Sequence, residues 1–262
     1  MDWREADRRL NEHLRLQTFP VALRLEESLE GLPQVYGELA GRAGPMPVCQ
    51  AVAVARRYGW RVVLTRDEMT CPLGAISLGF VSPRPEHLQG CAEVPAWVRT
   101  PEARARILAN LPKFEPGRYR YVVATPLARA DFEPQIVVAY GNPAQIVRLV
   151  QSVIYLTGEP VVSNALGAVG CGTYITKAIQ TGECQMVVSG AGDRIFGLTQ
   201  DDEMSFTIPV ARLPAVLDGL GETARHGVRY PTPSYLRFHP ELPPSYQSFL
   251  KELPPADGRE DP

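Results

Sequence analysis

The chain has 262 residues, 45% of them hydrophobic, with 27 basic and 29 acidic side chains. That apolar content excludes disorder over most of the length, and a net charge of −2 excludes bulk attraction to nucleic acid or anionic lipid. Five cysteines are too few for a disulfide scaffold, and their number is odd. The first residues, Met1-Asp2-Trp3-Arg4-Glu5, are polar and carry no secretory core. The longest apolar run, Ile146 to Tyr155, is broken by Arg148 and Gln151 and falls short of the ~18–20 residues that span a bilayer. The expectation is a cytoplasmic protein, with reduced thiols and no membrane contact. Twenty-four arginines against three lysines read as genomic bias. They are scattered, without the basic and aromatic stripe that nucleic-acid binding wants.

In chain order, residues 2–18 read as a helix capped by Asp2, with Trp3, Leu10 and Leu14 on one face. Residues 20–25 read as a short strand, and 26–47 as loop with a short helical piece. Cys49 to Tyr58 reads as a helix stopped by Gly59. Residues 61–65 read as a strand, followed by a turn at Met69–Gly74 that holds Cys71. A Pro-rich loop spans 81–99. A helix runs from Thr100-Pro101 to Leu111, and a strand from Tyr119 to Ala124.

The second half is more regular. Gln135–Tyr140 is an unbroken apolar run and reads as a buried strand, turning at Gly141-Asn142-Pro143 into a helix over 144–156. Val161-Val162 opens another strand. Residues 163–173 are small and Gly-rich and contain Cys171, and 174–179 read as helix. Strands are expected at 185–189 and 204–208, and a last helix at 211–220, ended by Gly221. Proline occurs 8 times in the 32 residues from 231, so that tail is expected to be an extended arm. Its Tyr235, Phe238, Tyr246 and Phe249 imply that it packs on something.

The halves echo each other. Gln50 and Gln145 each open a helix that leads to a Val-Val pair (Val62-Val63, Val161-Val162) and then to a Cys beside Gly (Cys71, Cys171). Val122-Val123 with Arg129 recurs at equal spacing as Val187-Val188 with Arg194. Such a series points to duplication. It would set Cys71 and Cys171 at matching positions, facing each other or at opposite ends.

PVALRL at 20–25, CQ at 49–50, the Cys71-x2-Gly turn and PQIVVAYGNPAQ at 134–145 resemble the prokaryotic family called domain of unknown function 169. Cys171, Gly192-x-Arg194 and the DEM…IP stretch at 202–209 carry the resemblance further, over roughly residues 15–225. It implies a soluble α+β protein with Cys49, Cys71 and Cys171 at motif positions, and no activity to carry over. Cys91 and Cys184 look incidental.

Thiolate is a soft ligand for zinc, copper(I) and iron–sulfur clusters, and the three motif thiols sit at helix starts or Gly-rich turns. No Cys-x2-Cys chelate is present, so a three-Cys site would have to be assembled by the fold. A reactive thiol and simple packing remain as alternative readings. Four histidines with no His-x3-His spacing argue against a His-rich metal centre. Gly190-x-Gly192-Asp193-Arg194 follows a strand and could cradle an anion gripped by Arg194, or form a turn with Arg194 paired to Asp201, Asp202 or Glu203. The run Asp201-Asp202-Glu203 itself reads as a solvated turn. Asn142 reads as a ligand contact or a helix cap, and Gln50 and Gln145 as amide donors in a shared pocket or as exposed positions.

The expectation is therefore an α+β protein with mixed sheets. Two related βα-containing halves, roughly 20–127 and 128–225, share one core within residues 1–230, and residues 231–262 form the arm. The expected function is binding a thiolate-ligated metallocofactor, an iron–sulfur cluster or other metal, or a small anionic ligand, in a cleft between the halves. Cys49, Cys71 and Cys171 would ligate it, and Gln50, Arg129, Asn142, Gln145, Gly190, Gly192 and Arg194 would supply polar contacts. The alternatives are a cysteine-dependent redox or nucleophilic enzyme, and a cofactor-free protein that forms a homo-oligomer through the arm.

Overall fold

Six short strands, most of them buried along nearly their whole length, build one sheet, and two sets of helices cover its faces. The computed structural model describes residues 1–30, 44–85, 97–232 and 242–252. The strands are β1 (Val21–Glu26), β2 (Val62–Thr65), β3 (Tyr121–Pro126), β4 (Ile136–Gly141), β5 (Gln185–Val187) and β6 (Met204–Pro209). They lie in the order β2-β3-β1-β4-β6-β5, and every neighbouring pair is antiparallel. The expected mixed sheets are thus one antiparallel sheet. β1 and β2 do run parallel, but β3 lies between them and turns both pairings antiparallel. Val161-Val162 forms no strand. Val162 is 67% exposed, and the edge of β5 is closed instead by Ser163, whose Oγ accepts the Met186 N–H at 2.8 Å.

The period of two along the strands divides the core. Val21, Leu23, Leu25, Ile136, Val138 and Tyr140 face one side. That side is covered by α2 (Val48–Tyr58), α3 (Pro72–Ser77), and a π-helical segment, Gly172–Lys177, that runs into α6 (Ala178–Thr181). Ala22, Val137, Ala139, Phe206 and Ile208 face the other side, under α1 (Trp3–Leu14), α5 (Pro143–Thr157) and α8 (Leu213–Arg225). α4 (Pro101–Asn110), capped by Thr100 on the Ala103 N–H, brings Leu108 to a small satellite cluster with Ile76 and Leu111. α7 is the short helix Ala191–Ile195.

Local chemistry sets the ends. Asp2 accepts from the Arg4 and Glu5 amides, and α1 stops at Leu14 because Arg15 is left-handed (φ 53°), short of the expected residue 18. α8 runs through Gly221, where a stop was expected. Gly219 in the same helix lies so close to α5 that an added Cβ would meet the Ser152 carbonyl oxygen at 2.4 Å. The arm holds a short exposed helix, α9 (Pro244–Leu250), in place of wholly extended chain, with Tyr246 and Phe249 exposed. Tyr235, Phe238, Cys91, His87 and His239 lie outside the described residues.

In each half of the sheet the first strand is central, the third lies beside it and the second is at the edge. The echoes read from the sequence do not follow this arrangement. α2 and α5, the helices of Gln50 and Gln145, lie on opposite faces and line no common cleft. The helix that precedes β5 on the face of α2 is the one that starts at Cys171. Likewise β3 takes the place in its half that β6 takes in the other. The positional partner of Arg129 is then Arg212, each in a tight turn after a strand ending in proline, and not Arg194.

Candidate functional site

On the α2 face, four chain segments begin helical turns around one buried spot. α2 starts after Pro47 with Cys49 in its first turn, and the Cys49 thiol donates to the Gly192 carbonyl at 3.5 Å. Cys71 is the cap of α3: Pro72 takes the first helical position, where no N–H is needed, and the sulfur accepts the Gly74 N–H at 3.4 Å. Cys171 begins the π-wound segment, two residues after Val169, which is left-handed (φ 54°). A β-branched residue in that region is strained, and π-helical turns often mark functional sites. Asp193 enters from α7 and is 3% exposed, its Oδ2 accepting the Gly190 N–H at 3.2 Å. Gly170 makes room for it, since a Cβ there would lie 2.4 Å from that oxygen.

These groups feel one another's charge. Burial pushes the Cys49 thiol up to about 12, helped by Asp193 and Cys71. Burial also drives Cys171 well above the usual thiol range, with Cys71, Asp193 and Cys49 adding to it. Burial raises Asp193 to about 6 against the Gly190 N–H, which favours the carboxylate. Tyr140, at the end of β4, and Tyr174, in the π-wound segment, are raised by burial and by their acidic neighbours, so both stay neutral phenols. The buried Tyr174 hydroxyl hydrogen-bonds toward Asp193 and Tyr140, which favours the ionised form of each against burial. The fold therefore brings Cys49, Cys71 and Cys171 into one neighbourhood with Asp193, Tyr140 and Tyr174. Among the described residues, no three His, Cys, Asp or Glu side chains are already arranged to hold a metal ion.

Buried cations hold the frame. The Arg56 guanidinium stacks over the Tyr140 ring, 4.0 Å from its centroid, and grips both Glu203 oxygens at 2.9 and 3.0 Å. Arg57 adds a third bond to Glu203, at 2.9 Å. Glu203 is thus a half-buried anchor rather than part of a solvated turn, although Asp201 and Asp202 are exposed.

The other expected contacts lie elsewhere or do other work. Asn142 and Gln145 cap α5 reciprocally, and the Gln145 amide donates to the Leu14 and Arg15 carbonyls at 2.8 and 2.9 Å, which fixes α1 on the opposite face. The Asn142 amide reaches the Tyr230 hydroxyl. Arg129 donates to the Gly59 carbonyl at 2.6 Å. Arg194 pairs with Asp201 at 3.2 Å and with the Gln200 carbonyl, as the turn alternative held. Gly190 and Gly192 shape the turn that carries Asp193 inward, and Gly192 receives the Cys49 thiol. Gln50 is half-buried beside Cys49. Cys184 belongs to the opposite core, its thiol pushed up to about 12 by burial. Asp193, Tyr140 and Tyr174 join the cluster without a sequence pattern that singles them out; Asp193 stands within Gly190-x-Gly192-Asp193-Arg194, where the arginine is the more conspicuous charge.

Residues 9–219 match the family of uncharacterised proteins described as ArCR, domain of unknown function 169. An uncharacterised protein of Methanocaldococcus jannaschii is 26% identical over 223 residues, which cover 83% of this chain and 93% of that protein. No solved structure matches. No helix among the described residues is long and apolar enough to cross a membrane.

Proposed function

Since the chain belongs to the domain of unknown function 169 family, which carries no established activity, we propose a function from the site itself: binding of a thiolate-ligated metallocofactor, an iron–sulfur cluster or another soft metal, between Cys49, Cys71 and Cys171. The observation that carries this reading is the convergence of three thiols from separate segments on one buried spot. Asp193 would supply a fourth donor, held by the Gly190 N–H and by the Tyr174 hydroxyl. Packing alone gives no reason to bury a carboxyl beside three thiols. With no metal bound Cys49 and Cys171 hold their protons, so loading would release protons and tighten as pH rises. A thiolate nucleophile has less support, because burial shifts both thiols away from the ionised form.

The same reading includes a duplication. Cys49 and Cys171 open the helices that precede β2 and β5 on one face, and a Pro-x-Ala-Arg turn follows both β3 and β6. A twofold axis between β1 and β4 would relate these features and pass near the thiols. The test is anaerobic loading with iron and sulfide, or with single metals, followed by elemental analysis and a visible spectrum. Stoichiometric metal that is lost in Cys71→Ser and Cys171→Ser supports the reading. Metal-free, colourless protein, or equal loading of the serine variants, overturns it.

A further inference from the structure

A cavity lies at the β5 edge of the sheet, and none of the clustered thiols lines it. It has a volume of about 630 Å³ and opens between the end of α5, α6, α8 and the edge of β5. Its walls are Val153, Leu156, Val161, Val162, Ala215 and Val216. Its size falls within the ~300–1,000 Å³ typical of small-molecule sites. Two of these walls, Leu156 and Val162, are 47% and 67% exposed, and the neighbouring Ile154 and Tyr155 of α5 are exposed as well. Isolated exposed apolar side chains need no explanation, but a cluster around a concavity does.

The charges on the rim are unequal. Arg212 is tied to the Glu183 carboxylate and to the Gly182 carbonyl, so that pair is internally neutral. Lys177 is half-buried, and its ammonium bonds the neutral Asn164 side-chain oxygen at 2.7 Å. Glu159 also lines the rim but is exposed, where water and salt screen it. The charge best placed to be felt inside the cavity is therefore positive.

We propose that this cavity binds an aliphatic carboxylate, its chain along the valine walls and its head group at Lys177. The full chain would be titrated calorimetrically with decanoate, decanol and decylamine. Decanoate is expected to bind saturably, with decanol weaker by roughly fivefold, the worth of one partly exposed ion pair. Lys177→Met should bring decanoate down to the level of decanol and leave decanol unchanged. Ala215→Trp, at an exposed position of α8 that lines the cavity, should abolish binding of both, and Val162→Trp should do the same from the other wall. The proposal is overturned by no saturable decanoate binding, by decylamine binding tighter than decanoate, or by binding that survives both tryptophan variants while circular dichroism shows them folded. A change of sedimentation mass in the tryptophan variants without any decanoate binding would show that a second copy of the chain covers the cavity, and would overturn it as well.

Discussion

Replacing Asp193 by asparagine tests whether the buried cluster is what the geometry says it is. In the metal-free protein, burial lifts this carboxyl from 3.8 to about 6. Between those values the folded chain binds the proton more tightly than the unfolded chain does. The stabilisation from that proton is complete below about pH 3.8, falls as pH rises and is gone above about pH 6. The shift corresponds to about 3 kcal/mol, and burial at 3% exposure leaves little solvent screening to reduce it. The asparagine side chain keeps the shape and an acceptor for the Gly190 N–H but has no charge to bury. The difference in unfolding free energy, variant minus wild type, should therefore rise by about 2–2.5 kcal/mol between pH 4 and pH 7.5, most of the full shift. Other shifted carboxyls, such as Asp7, Glu26 and Glu203, are common to both proteins and cancel in the difference. The assay is urea unfolding at a series of pH values, with chelator and reductant present and the slope on denaturant checked for constancy. A difference that is flat across that range, or one in which wild type gains on the variant as pH rises, refutes the buried carboxyl.

Gly219→Ala should destabilise by about 1–3 kcal/mol or more, because the new methyl meets the Ser152 backbone, which cannot swing aside. Helix propensity alone would stabilise by up to ~1 kcal/mol, so a more stable variant in urea refutes the close contact of α5 and α8. Glu203→Ala strips the carboxylate from Arg56, whose side chain has no exposure, and should cost about 3 kcal/mol, the low end for a broken buried pair because the Gly197 and Leu198 carbonyls and Tyr140 remain. A loss below about 1 kcal/mol in the same assay would show that the pair is solvated.

What could be read in advance follows from how local each signal is. The run Gln135–Tyr140 and the Asn142-Pro143 cap announce β4 and α5 within a residue, since both depend only on near neighbours. Whether a sheet is mixed depends on which strand inserts between β1 and β2, and no residue of those strands records that. Val161-Val162 has the composition of a strand but meets β5 through the Ser163 hydroxyl, a contact set by the far end of the chain segment. The three thiols were legible because turns and helix starts are local. Asp193 was not, because its burial depends on the missing side chain of Gly170 and on the approach of the π-wound segment. Gln145 shows the opposite failure: its residue type fits a ligand contact, but its amide is spent on two backbone carbonyls of another helix.

The position of the thiols in the sheet explains why a ligand there would matter to the whole molecule. The two halves meet at β1 and β4, and that ladder is short: Val21, Ala22 and Leu23 opposite Val138, Val137 and Ile136. Side chains do much of the remaining joining. Cys49 reaches Gly192, Arg56 and Arg57 reach Glu203, and the Ser77 and Thr176 hydroxyls meet at 2.8 Å, each bond running from the first half to the second. The cluster lies on this seam, with Cys49 and Cys71 from one half and Cys171 and Asp193 from the other. With no ligand bound, the cluster costs stability at the seam, since it buries an acid raised to about 6 and strains the backbone at Val169. On the proposed reading, a bound cofactor offsets the buried charge: it neutralises the carboxylate and ties thiols of both halves to one centre. Binding to the folded state alone then raises stability in proportion to RT ln(1 + [L]/Kd), so loading should show first as resistance of the whole sheet to unfolding rather than as a local change.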